Sequence, residues 1–304
     1  MKLQIIDAES IYQRLLNSAS AQESEALYCQ ELLAPFEGMM RIYGGNDPLA
    51  MAKMWSFYTP EDFDGEQRPF IEDMLQRLSD NGVWQRSATA LERGVSAFAP
   101  YADQIALDTI NCALVLTKHT GINTLGRGYA GFGGFPGYLI VTLSLVDDYT
   151  IPRVGPALVH ELNHNVRFKI VPFLPMSITV ADYIIAEGLA ESFAAELFGH
   201  DLVGYMVTDF DEEEIATAKR VIGGNLDVSG FNAVRSYIFA VRSYIFGDTI
   251  AASSGLPKVG LPDFAGYAIG YRVVQHYLQR TGRSVVDATF LPSQEIIEES
   301  DFFA

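Results

Sequence analysis

Two cysteines, Cys29 and Cys112, are all that 304 residues provide. They lie far apart and give no disulfide framework, so a packed core must hold the fold, and a reducing compartment suits it. Basic residues are also scarce: 21 Lys and Arg stand against 38 Asp and Glu, a formal net charge of −17. Such a chain repels phosphate, which argues against nucleic acid and anionic membrane surfaces as partners. The first residues, MKLQIIDAESIYQRLL, contain no apolar run of signal-peptide length, so the expectation is a cytoplasmic protein without a membrane span. The longest uncharged stretch, 128–146, is about long enough to cross a bilayer. Gly131, Gly133, Gly134, Pro136 and Gly137 crowd its first half, and it reads as a glycine loop feeding a strand.

What remains is a globular composition, 49% hydrophobic and 19% charged, in a chain long enough to bury a sizeable core. The expected organisation is α+β and predominantly helical, with a helical region over residues 1–115 and a second domain over 116–304. In the first region, Ile11, Leu15 and Leu16 share a face, as do Ile71, Met74, Leu75 and Leu78, and again Leu91, Val95 and Phe98. No chemical motif occurs there. Residues 112–116 (CALVL) are apolar and strand-like, and 138–145 (YLIVTLSL) then read as a buried or half-buried strand. Prolines at 152, 156, 172 and 175 bracket a helix of about 153–170. A second helix starts near Thr179–Asp182 and stops at Gly199, and a third runs from near Gly266 to about Gln279. The acidic run Asp211–Glu214 reads as a solvated loop or helix start. The segment VRSYIF occurs at 234–239 and again at 241–246; a shift of seven extends a helix by two turns without changing its buried face.

Chemistry concentrates in His160-Glu161-Leu162-Asn163-His164. On a helix, positions i and i+4 share a face, so two imidazoles there can reach one metal ion. Glu161 sits one position round, where a carboxylate can take a proton from a water on that metal. A third ligand is needed, and the second helix offers Glu187 and Glu191, also four apart, in the apolar segment YIIAEGLAESFAAELFG. Unpaired carboxylates are costly to bury there. One of the two glutamates is expected to bind the metal, the other to accept a hydrogen bond from a ligand histidine. Small Gly188 and Ala190 would let this helix approach the first one closely.

HELNH, the EGLAE segment beginning 23 residues beyond His164, and the later FGD and GYAIGY segments together resemble the predicted zinc-dependent metalloprotease family labelled domain of unknown function 2268. More broadly they are similar to the gluzincin peptidases. The resemblance covers roughly 115–285. It implies a zincin-like domain, one zinc ion per chain on His160, His164 and Glu187, Glu161 as general base, and Glu191 supporting a ligand. Gluzincins also place a tyrosine in a Tyr-x-x-Gly context as oxyanion donor; Tyr267 matches, and Tyr271 lies one turn on, so either is a candidate catalytic residue. His276 is a lesser candidate, and His119 and His200 are set aside. In that fold the strand before the motif helix offers an edge for an extended peptide. The expected function is hydrolysis of a peptide or protein substrate. The alternative is a catalytically silent zinc-binding regulatory protein on the same fold.

Overall fold

The computed structural model describes residues 1–42, 45–120, 126–230 and 240–304. It is α+β and mostly helical, with one small mixed sheet of four strands. By packing, the chain forms two compact units, Met1–Asn165 and Val166–Ala304, and the sheet draws the first residues and residues 109–143 into the first of them.

The first unit pairs β1 (Lys2–Ile5), β2 (Thr109–Leu116), β3 (Tyr129–Phe132) and β4 (Tyr138–Leu143) in the order β1-β2-β4-β3. The β1–β2 and β2–β4 pairs are parallel, and β3 runs antiparallel to β4 with Gly131 opposite Val141. Strands β2 and β4 are apolar, rich in Val, Ile and Leu, and largely buried, as sequences flanked on both sides must be. The strand before the motif helix is therefore not the sheet edge. That edge is β3, within the stretch expected to be a glycine loop. Strand β1 was not foreseen in a region that read as helical.

Helices α1 (Ala8–Leu16), α2 (Ala21–Leu27), α3 (Glu37–Ile42), α4 (Pro48–Met54), α5 (Pro60–Asp64), α6 (Arg68–Asp80) and α7 (Val83–Ala97) precede β2. Their stripes are buried as the periodicity demands: Ile71, Met74, Leu75 and Leu78 on α6, and Leu91 on α7, all enter the core shared with the sheet. Helix α8 (Val154–Ile170) carries the HELNH motif, and Leu162 joins this same core. Gly94 of α7 fits against Val159 and Leu162, where a side chain would press on both.

The second unit is helical: α9 (Val180–Phe198), α10 (Tyr205–Thr208), α11 (Glu212–Gly223), α12 (Ala240–Phe246), α13 (Asp248–Ser253), α14 (Ala265–Thr281), α15 (Val285–Ala288) and α16 (Ser293–Ser300). Capping boxes set two starts. Thr179 and Asp182 bond reciprocally at α9, and Asp211 and Glu214 do so at α11, which is what the acidic run is for. Gly282 ends α14 in the left-handed conformation, φ 69°. Helices α9 and α14 cross so closely that a Cβ on Gly188 would overlap the carbonyl of Gly270, and one on Gly270 the carbonyl of Ile184. Gly188 thus serves the contact with α14, where the sequence suggested the motif helix. Of the duplicated VRSYIF, the second copy lies in α12; the first falls outside the described residues.

Candidate functional site

Helix α8 buries its motif. His160, Glu161 and His164 are 7%, 7% and 5% exposed. The two imidazoles sit one turn apart with ring centroids 4.7 Å from each other and planes at 83°. Burying two histidines and a carboxylate is costly unless each has polar partners. His160, His164 and Glu187 form a buried group in which one ligand atom from each residue lies within 4.8 Å of the others. Two imidazole nitrogens and one carboxylate oxygen so close together are compatible with zinc. Glu161 Oε1 lies 4.0 Å from His160 Nε2.

The sheet edge reaches this carboxylate. Gly131 of β3 passes Glu161 so closely that a Cβ there would overlap Oε1, and a Cβ on Gly133 would overlap the Glu161 carbonyl. The glycines are thus a condition of the approach rather than simple turns. Asn165, one turn beyond Glu161 and fully buried, holds the segment in place. Its Oδ1 accepts from Gly137 N (2.7 Å), and its Nδ2 donates to the carbonyls of Gly133 (3.0 Å) and Tyr138 (2.9 Å) and, at 3.3 Å, to that of Glu161. The sequence reading missed this residue. The available signal was a pair of asparagines, poor helix formers, flanking the second motif histidine inside the helix.

On α9, Glu187 and Glu191 are each 5% exposed. Glu191 is not part of the three-residue group, and its Oε2 accepts from Gly204 N at 3.4 Å. Tyr267 and Tyr271 pack against Ala195, Val203 and Val207. Tyr267 is ringed by Phe246 and Phe264, with centroids 6.1 and 6.0 Å away. The Tyr271 hydroxyl meets His200 Nδ1 at 2.6 Å, so a histidine that sequence set aside is tied to a candidate donor. Burial, assisted by Glu191, pushes the Tyr271 hydroxyl up to about 12, so it stays a proton donor at neutral pH. His276 is exposed against the Phe302 ring, and His119 Nδ1 meets Ser144 Oγ at 3.0 Å. Among the described residues, no helix is long and apolar enough to cross a membrane.

A mostly helical α+β protein with a buried His-His-Glu group is the class these observations define. The chain belongs to the family described as predicted Zn-dependent protease, domain of unknown function 2268, whose model matches residues 83–298. It is 33% identical over 304 residues to the uncharacterized protein YjfC of Bacillus subtilis (strain 168), covering 96% of each chain. It is 26% identical over 157 residues to the uncharacterized protein YjaZ of the same organism, covering 51% of this chain and 54% of the other. No solved structure matches.

Proposed function

We propose that this chain is a gluzincin-like zinc metallopeptidase acting on peptides or proteins in the cytoplasm, with no nucleic-acid partner. The observation that carries the reading is the buried His160–His164–Glu187 group beside Glu161. These three residues would hold one zinc ion, which when bound would polarise a substrate carbonyl and lower the pKa of a water. Glu161 takes the proton of the attacking water and returns it to the leaving amine. The close approach of the β3 backbone to this carboxylate supports the role. An extended peptide pairs its main chain with the open edge of β3, which brings the scissile carbonyl past Glu161. Tyr267 or Tyr271 donates to the oxyanion that develops, and Glu191 supports the ligand set from the next turn of α9.

The test is Glu161→Gln, assayed for metal content and for cleavage of an unfolded protein such as casein. The expected outcome is about one zinc per chain in both proteins, with turnover lowered by about two to four orders of magnitude in the variant. Equal turnover in the two would sink the mechanism. Bound zinc with no turnover in either protein, across a broad peptide library, would favour the silent regulatory reading.

A further inference from the structure

A second cavity, of about 80 Å³, opens at the C-terminal end of α8. Its walls include Phe168, Phe173 and Ile178, and its charged lining residues are Arg167 and Asp182. Arg167 is among the largest fully buried side chains of the described residues, at 1% exposure. A guanidinium has five N–H donors. Nη1 donates to the carbonyls of Thr289 (2.9 Å) and Leu291, and Nη2 to Ser293 Oγ (3.1 Å). These bonds use three of the five donors; no Arg167 nitrogen is a fully buried atom without a partner, and the residue lines the cavity, so the other two donors are open to it. Asp182 is similarly half used. Its Oδ2 accepts from Thr179 N (3.2 Å) and Oγ1 (2.8 Å) in the cap of α9, and its Oδ1 takes no donor among the described residues. The two charges influence each other through space without direct ion-pair contact. Burial without a contacting carboxylate pulls the guanidinium down to about 10. A bidentate carboxylate is the group that fits such a fork.

We propose that this cavity binds a small zwitterion with an apolar side chain, a free α-amino acid such as leucine. Its carboxylate sits on the two remaining donors of Arg167, its ammonium on Asp182 Oδ1, and its side chain against Phe168, Phe173 and Ile178. A carboxylate alone would meet Asp182, and an amine alone would meet Arg167, so each charge in the wall selects for the pair. The proposal stands apart from the metal reading, since none of the metal-group residues lines the cavity.

Calorimetric titration of the full-length, zinc-loaded chain with L-leucine, N-acetyl-L-leucine and L-leucinamide tests it. Leucine is expected to bind saturably and at least about ten-fold more tightly than either derivative, the worth of one charged hydrogen-bonding group. Val171→Phe, which fills the cavity without altering either charge, should weaken leucine at least about ten-fold. Asp182→Asn should bring leucine and N-acetyl-leucine to the same affinity. Absence of saturable leucine binding, equal binding of all three compounds, or affinity unchanged in Val171→Phe overturns the proposal. So does binding that disappears when the metal is removed by chelation, since that would place the ligand at the histidines.

Discussion

Two of the places where glycine brings a backbone into near contact with another element serve opposite ends. At the crossing of α9 and α14, Gly188 and Gly270 set main chain against main chain, and Cβ atoms there would overlap carbonyl groups. At β3, Gly131 sets main chain against a single carboxylate, that of Glu161. The first is a packing contact with no side chain free to yield. The second meets the far end of a flexible side chain, whose conformation is what chemistry would depend on. The same residue type therefore serves rigidity in one region and the position of an acidic group in the other.

The largest effect should come from neither glycine but from the residue that locks the second contact. Asn165→Ala leaves Gly137 N–H and the carbonyls of Gly133 and Tyr138 without their partner. A loss of about 4 kcal/mol in urea-denaturation stability is expected, from two or more buried groups left unsatisfied. A loss below about 1 kcal/mol would mean water replaces the amide. Gly270→Val at the helix crossing should cost about 3 kcal/mol through overpacking, with metal affinity in the surviving folded fraction close to wild type. An unchanged denaturation midpoint would show that the helices can slide apart at little cost. Gly131→Ala should reverse that profile. Its denaturation midpoint should stay within about 1 kcal/mol of wild type while turnover falls about 100-fold, because the carboxylate must rotate away. A large stability loss with normal turnover per folded molecule would erase the distinction between the two contacts. Tyr271→Phe should cost about 1 kcal/mol of stability, for one hydrogen bond to His200. A larger drop in turnover for Tyr271→Phe than for Tyr267→Phe would pick Tyr271 as the oxyanion donor.

The long helices were legible because their signals are local. Prolines bracket α8, Thr179 and Asp182 cap α9, and Gly282 stops α14, so their limits fell within a residue or two of expectation. The pairing of His160 with His164 was legible for the same reason, as helical periodicity brings i and i+4 together, whereas the choice of Glu187 over Glu191 came only from the family resemblance. Strand β3 was not. Its sequence, YAGF, contains a glycine and has little strand propensity, and it is a strand only because β4 pairs with it. The partner of Gly188 was hidden likewise, since a small residue announces a close approach without naming what approaches. His200 carried no pattern, and its tie to Tyr271 is a tertiary contact across 71 residues.

The anchoring of Arg167 has a consequence for how the protein is made. Its guanidinium sits on the helix that bears the histidines, yet its protein acceptors belong to Thr289, Leu291 and Ser293. During synthesis the chain emerges from its N-terminus. The motif helix is therefore complete long before the groups that satisfy this buried charge exist. Until residues 289–293 leave the ribosome, the C-terminal end of that helix carries a cation with nowhere dry to settle. A nascent chain would thus expose an unfinished helix end until those residues follow.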